Sequence, residues 1–150
     1  MRHITECNEI FLPVGQLLLI DRIKEIGGDR IICEQDISGS WVFPLHFPGD
    51  PIFPGSLIIE GACQSVAIWA WENGLRGHPR LVRASAEFHS PVVPADRVLT
   101  YVCTVRRRQN LCVGQVIILA GGRLVASIKG SLAVLCAAAV QEPAVTYPAL

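Results

Sequence analysis

His46 and Glu60 are the two residues whose types and surroundings could move protons on a bound substrate. His46 lies in LHFPGDPIFPG, where three prolines restrict the backbone. An imidazole exchanges its proton near neutral pH, so a histidine held by a rigid loop beside an apolar cleft suits the role of general base. A loop histidine is more often an ordinary surface residue, so this hypothesis needs a second group nearby.

Glu60 is such a group, and it lies with Gln64 in the otherwise apolar run 56–73. This run predicts a helix that is buried on most of its circumference, and residues four apart share one face of a helix. A buried carboxylate is costly unless it is paired or protonated, and a protonated carboxyl can donate its proton. A structural network is the alternative explanation, because such carboxyls occur there too. A capping box does not explain Glu60, since Ser56 precedes it by four residues and the motif requires three.

Gly55 precedes this run, and its amide would be free at the start of the helix. Free amides and the helix dipole can stabilise an oxyanion that develops on a substrate carbonyl. The other polar residues predict less. Asp50 lies in a Gly-Asp-Pro turn that an Asx hydrogen bond explains, and His3, His78 and His89 have no acidic or thiol partner at metal-ligand spacing. We therefore predict no metal site.

The rest of the chain must position these groups. Alternating apolar and β-branched residues predict strands at 17–26, 30–37, 81–88, 98–106, 111–120 and 124–135. Gly27-Gly28-Asp29 predicts a hairpin turn between the first two strands, and the proline-rich stretch 41–54 predicts a structured loop. Gly74 can end the helix as a left-handed cap. Two strands, one buried helix and about four more strands predict an α+β fold, with an antiparallel sheet curled around the helix.

Composition limits the possible functions. A chain of 150 residues that is 51% hydrophobic suits one domain with a sizeable core, which we place at 1–135. Residues 136–150 lose the alternation, and we expect a mobile tail there. Thirteen basic and 13 acidic residues leave no overall field that would attract nucleic acid or an anionic membrane. With no signal-like block or long apolar run, we expect a cytoplasmic protein. Six cysteines without a C-x-x-C pair argue against zinc and a disulfide framework.

The segment HFPGDPIFPGSLIIEGACQ resembles the active-site motif of the β-hydroxyacyl-acyl carrier protein dehydratases of fatty-acid synthesis, which are hot-dog-fold enzymes. The similarity continues in FLPVGQLLLIDRI, EFHSPVVPADRV and GRLVASIKGSLAV, so it covers all but the C-terminal end. The residues at the family's spacing are His46, Phe47, Pro48, Gly49, Pro51, Pro54, Gly55, Glu60 and Gln64.

This resemblance implies a role for each matching residue. It implies that His46 is the base that removes the α-proton and that Glu60 is the acid that protonates the leaving hydroxyl. It implies that the Gly55 amide polarises the thioester carbonyl and that Gln64 orients the acid. The substrate would be a 3-hydroxyacyl thioester on the phosphopantetheine of acyl carrier protein or coenzyme A, with no other cofactor. The product would feed fatty-acid or polyketide-type synthesis. The family also implies a homodimer, or a larger assembly of dimers, whose sites draw residues from two subunits.

We expect Phe53, with Phe47, to line a tunnel for the acyl chain. Here the chain departs from its relatives, which commonly have His-Arg-x-Pro-Phe where this chain has residues 14–18, and Gly where it has Leu45. These departures concern the shape of the tunnel and the choice of substrate. Asp50 resembles the branch of the family that also isomerises the double bond, but that branch usually has Asp as its acid. We therefore favour plain dehydration.

Two other functions remain possible from the sequence. A hot-dog thioesterase also uses a carboxylate on this helix, although it does not need a histidine in a His-Phe-Pro-Gly loop. A non-catalytic acyl-binding subunit usually lacks the acid or the base, and this chain has both. A separate question concerns the run 106–108, which by default is a solvated hairpin end. Together with Arg76, Arg80 and Arg83 it could instead form a basic rim for phosphopantetheine or an acidic carrier protein.

Overall fold

The β-branched runs form a seven-stranded sheet, and the apolar run that follows Pro54 forms helix α1, in a computed structural model that describes residues 1–136. All strand pairs are antiparallel, in the order β1-β2-β3-β5-β6-β7-β4. The elements are β1 (Arg2–His3), β2 (Arg22–Gly27), β3 (Arg30–Asp36), α1 (Gly55–Glu72), β4 (His78–Phe88), β5 (Val98–Arg108), β6 (Leu111–Ala120) and β7 (Arg123–Leu135).

Helix α1 packs on one face of this sheet and contacts β3, β4, β5, β6 and β7. Burial alternates along β5, β6 and most of β7, as expected for strands with one covered face. Two glycines allow the close contact, because a Cβ on Gly61 would overlap the Tyr101 hydroxyl and a Cβ on Gly114 would overlap Val66. The Tyr101 hydroxyl donates a buried hydrogen bond of 2.7 Å to Gln35 Oε1. The sheet therefore fixes the position of α1 and of the side chains that α1 carries.

The sequence places most element boundaries well. Gly74 has φ +85° and ends α1 as predicted. Its amide donates to the Trp71 carbonyl, and the Leu75 amide donates to the Ala70 carbonyl, which is the Schellman pattern. The predicted order is also confirmed, with two strands, one helix and four further strands. The seven-stranded count exceeds the prediction by β1, a two-residue strand.

The prediction of a strand from residue 17 is wrong in its first part. The strand β2 begins at Arg22, and Gly15–Leu17 form a 3₁₀ turn. The reason is that the Leu17 carbonyl and the Leu19 amide bond to the side chain of Gln64 on α1, and not to a neighbouring strand. We call residues 11–19 the strap.

The tail 136–150 lies outside the described residues except for Cys136, which follows β7. Within residues 1–136, no helix is long and apolar enough to cross a membrane.

Candidate active site

Residues 41–54, which we call the His46 loop, are held by their own backbone. The His46 amide donates to the Val42 carbonyl at 2.9 Å, and the Ile52 amide donates to the His46 carbonyl at 2.8 Å. Between them, Phe47 and Asp50 exchange two backbone hydrogen bonds of 2.8 and 2.9 Å. No helix or strand interrupts this stretch. The prediction of a structured loop is confirmed.

The His46 ring is oriented by this loop. Its Nδ1 lies 3.0 Å from the Ile52 carbonyl oxygen. A carbonyl only accepts hydrogen bonds, so Nδ1 carries the proton of the neutral imidazole and Nε2 keeps its lone pair. The ring is half-buried and stacks on Phe47 at a centroid distance of 4.2 Å. This tautomer leaves His46 able to accept a proton at Nε2.

Glu60 is half-buried on the first half of α1, and Gln64 holds it there. Gln64 is only 3% exposed, and its Nε2 donates to Glu60 Oε1 at 3.0 Å and to the Leu17 carbonyl at 2.7 Å. Its Oε1 accepts a hydrogen bond of 2.9 Å from the Leu19 amide. Both amide hydrogens and the amide oxygen are therefore used. One buried side chain thus positions the carboxyl and anchors the strap.

Glu60 and Gln64 face an apolar groove of about 280 Å³, which we call the acyl groove. Its other walls come from α1, from β4 and β7, and from the strap. Burial and the nearby Glu60 raise the pKa of Cys63 to about 11. This thiol therefore stays protonated, and it forms part of the groove wall and does not act as a nucleophile. The other lining residues are Phe11, Leu12, Pro13, Ala67, Pro79, Leu81 and Leu132.

The strap is the part of this groove that the sequence did not predict. One signal was available, because a glutamine on an apolar helix must find buried partners for its amide. A second signal was the Pro13-Val14-Gly15 run, which interrupts the apolar alternation.

Gly55 lies at the first turn of α1, beside a second cavity of about 380 Å³. The first hydrogen bonds of the helix are those from the Leu57 and Ile58 amides to the Pro54 carbonyl. The Gly55 amide comes before them and therefore has no partner inside the helix. A Cβ on Gly55 would lie 2.9 Å from the Phe88 ring, so only glycine fits here without displacing that ring.

Phe53 also lines the second cavity, but in this chain it is mainly a core residue. It is 4% exposed, and its ring meets Phe43 edge-on at 5.9 Å. Phe47, by contrast, is 50% exposed on the His46 loop. The structure thus brings Glu60 and Gln64 together at the acyl groove. Phe53 lies with Gly55 at the second cavity, and neither cavity is lined by His46 or Phe47 of the same chain.

Basic residues lie on strands β5 and β7 and just after α1. A cavity of about 610 Å³ on the outer face of the sheet is lined by Arg106, Arg107, Arg108 and Lys129. Arg107 turns toward the hairpin end and donates to the Gln109 carbonyl at 2.9 Å. Arg76 lies 5.2 Å from the centre of the Trp71 ring.

Comparison with known proteins identifies the family. Residues 12–129 match the model of the FabA-like domain. The chain belongs to the FabA-like domain family. Its relatives include the 3-hydroxyacyl-[acyl-carrier-protein] dehydratase FabZ of Brucella melitensis biotype 2, which is 38% identical over 111 residues, or 66% of this chain and 69% of that protein. FabZ of Brucella abortus strain S19 is 37% identical over the same shares. The matched range contains every predicted site residue.

Solved structures support the same fold. AziG of S. sahachiroi aligns with a TM-score of 0.60 at 25% identity, covering 80% of this chain and 93% of AziG. The dehydratase heterocomplex ApeI:P of Xenorhabdus doucetiae aligns with a TM-score of 0.73 at 12% identity, covering 87% of this chain and 91% of the aligned chain of the complex. A mutant thioesterase of Staphylococcus aureus aligns with a TM-score of 0.62 at 11% identity, covering 75% and 91%. The predicted α+β hot-dog fold is confirmed, and because FabA-like chains share it with thioesterases, the reaction must be argued from the site.

Proposed function

We propose that this chain is a dehydratase that removes water from a 3-hydroxyacyl thioester carried by acyl carrier protein and forms the trans-2-enoyl thioester. The observation that carries this proposal is the Gln64 side chain, which aims Glu60 at an apolar groove in a FabA-like chain whose His46 keeps a free Nε2. The named dehydratase relatives support the same reaction. The enoyl product suits fatty-acid or polyketide-type synthesis.

The chemistry needs one base, one acid and one oxyanion donor. His46 Nε2 removes a proton from C2, and the Gly55 amide stabilises the negative charge that develops on the thioester oxygen. Protonated Glu60 then donates its proton to the 3-hydroxyl, the C3–O bond breaks and water leaves as the C2–C3 double bond forms. Exchange with solvent then removes the extra proton from His46 and returns a proton to Glu60. The phosphopantetheine arm belongs to the substrate, and these steps require no other cofactor.

The proposed active unit is a homodimer. The strand β4 pairs with β7 along one edge, and its other edge faces no strand within residues 1–136. It is 11 residues long, and Leu81, Val82 and Phe88 are each about half exposed. Such an edge is normally covered, and antiparallel pairing with β4 of a second copy covers it with two-fold symmetry. His46 of one chain would then serve Glu60 of the other.

The proposed carrier-protein contact is the outer face of the sheet. Strand register aligns Arg83 with Ser131, Ser131 with Val113 and Val113 with Arg106, so both arginines occupy one row on the same face. Lys129 and Arg108 line the cavity beside this row. A cluster of cations suits the acidic surface of a carrier protein, and its effect on binding should weaken as salt is added.

Mass spectrometry of the products tests the reaction. We expect 3-hydroxybutyryl carrier protein to lose one water and keep its acyl thioester, and crotonyl carrier protein to give the hydrated species in reverse. Release of free acid with the unloaded carrier would instead identify a thioesterase. Intact substrate after long incubation with folded protein would contradict both reactions.

Mixing two inactive variants tests the shared site. In a heterodimer of one His46→Ala chain and one Glu60→Gln chain, one site lacks both groups and the other has both. If refolding pairs subunits at random, about half the dimers are mixed, so we expect roughly a quarter of wild-type activity. Differently tagged chains and native mass spectrometry verify the exchange. No recovery after verified exchange would show that both residues act within one chain.

A further inference from the structure

The acyl groove has a polar end and an apolar end. Glu60 and Gln64 lie at the polar end, and Ala67 lies two helical turns further along α1, about 10 Å from Glu60. The wall opposite α1 there comes from Pro79 and Leu81, because β4 starts soon after α1 ends. An acyl chain whose 3-hydroxyl lies at Glu60 therefore extends toward the start of β4.

A stacked pair of rings lies beside this apolar end. The Phe11 and His78 rings have centroids 4.0 Å apart and planes within 3° of parallel. Phe11 itself lines the groove on the strap, and His78 directly precedes the lining residue Pro79 on β4. The stack therefore joins the strap wall to the β4 wall across the end of the groove.

The strap wall is attached at two points. Gln64 bonds to Leu17 and Leu19 at one end of the strap, and the stack with His78 attaches Phe11 at the other. A longer acyl chain must therefore separate the two rings or move the strap from its anchor. The groove volume of about 280 Å³ lies just below the range of roughly 300–1,000 Å³ that is usual for small-molecule sites.

We propose that Phe11, stacked on His78, closes the acyl groove and makes this enzyme selective for short 3-hydroxyacyl chains. This inference rests on the proposed function, because it takes the groove beside Glu60 as the acyl site. Phe11 is thus a specificity-determining residue, and its ring takes no part in the proton transfers.

The test compares kcat/KM across 3-hydroxyacyl carrier proteins from hydroxybutyryl to hydroxydodecanoyl. Each methylene that gains an apolar site strengthens binding about fourfold. Removing the ring that closes the groove should therefore raise kcat/KM on long chains more than tenfold when two or three further methylenes are accommodated. For Phe11→Ala we expect the ratio of kcat/KM on hydroxydecanoyl to that on hydroxybutyryl to rise at least about tenfold. His78→Ala removes the other ring and should shift the ratio the same way, whereas Phe11→Trp should lower it.

Val14→Ala is the matched control. Val14 is an apolar strap residue that is 83% exposed, and it should leave the ratio within twofold of wild type. Phe11 is 47% exposed, so its truncation removes little core packing, and melting temperatures verify that each variant is folded. Binding of S-alkyl pantetheine thioethers of increasing length should show the same shift without any chemical step.

The outcomes separate the two proposals. Failure of the wild type to dehydrate hydroxybutyryl carrier protein would reject the proposed function. Dehydration of that substrate, with an unchanged length ratio in both Phe11→Ala and His78→Ala, would overturn this inference alone. A loss of dimer in Phe11→Ala with the ratio unchanged would also overturn it, because the groove end would then hold the partner subunit.

Discussion

The two irregular segments beside the site are held in opposite ways. Around His46 the loop is fixed by hydrogen bonds between residues at most six apart, including the contact from His46 Nδ1 to the Ile52 carbonyl, and only its last part has a distant partner, because the Phe53 amide donates to the Val92 carbonyl at 2.8 Å. The strap is fixed by distant residues, namely by Gln64, which is 45 and 47 residues away from its two backbone partners, and by His78, which stacks on Phe11. The part of the loop around His46 holds its own geometry, and the strap takes its geometry from α1 and β4. The His46 ring is thus positioned locally, whereas the groove wall depends on the same side chain that orients Glu60.

The largest effect should come from removing the reacting groups themselves. His46→Ala and Glu60→Gln should each lower kcat by about 10²- to 10⁴-fold, because acid and base assistance typically contribute this much. Stopped-flow or coupled assays on hydroxybutyryl carrier protein measure the loss, and circular dichroism verifies the fold.

The exposed residues His3 and Glu25 provide matched controls for these two changes. His3→Ala and Glu25→Gln should keep nearly all activity. If His46→Ala or Glu60→Gln stays within threefold of these controls, that residue is not part of the chemistry.

Replacing Gln64 by Leu should have the next largest effect on activity and stability. It should change the strap and leave the His46 loop unchanged. The half-exposed Leu17 carbonyl and the buried Leu19 amide both lose their partner, and leaving the buried amide unpaired costs about 1–3 kcal/mol in the free energy of unfolding. Amide exchange should accelerate at Leu19 and stay unchanged at Ile52 of the His46 loop. The kcat should also fall, because Glu60 loses its orienting hydrogen bond.

Ser65→Ala is the control for Gln64→Leu. Ser65 is also buried on α1, but its hydroxyl donates to the Gly61 carbonyl within the same helix. Its removal should leave exchange at Leu19 unchanged. Equal exchange changes in the strap and the His46 loop after Gln64→Leu would show that the two segments are not independent.

The smallest effect should come from the His46 loop itself. Gly49 has φ +79°, and a Cβ added there would meet no other atom. Gly49→Ala therefore strains only the backbone, and it should lower the free energy of unfolding in urea by about 1 kcal/mol. Gly49→Asn should recover part of this loss, because Asn tolerates positive φ better than Ala. Gly27→Ala, which also meets open space but has no positive φ, should be near neutral. An equal cost at Gly49 and Gly27 would mean that the turn does not constrain the loop.

This contrast explains how far the sequence alone predicts the molecule. Prolines, Gly49 and short-range hydrogen bonds define the His46 loop, so composition was enough to predict it. Alternation and the Gly74 cap likewise predict most strands and the end of α1. Only residues 17–19 of the strap were predicted as strand, because Leu17 and Leu19 have strand-like neighbours. Their actual partner is a helix side chain far along the sequence. The pairing of β4 with β7 is also long-range, and no local pattern specifies it.

The edge of β4 that faces no strand within residues 1–136 also affects how activity responds to the amount of protein. If each site needs two chains, then below the dissociation constant of the pair the number of complete sites grows with the square of the chain concentration. A doubling of expression in that range would raise total activity about fourfold. Subunit association would then make the rate of the reaction depend steeply on the amount of protein, without any separate effector.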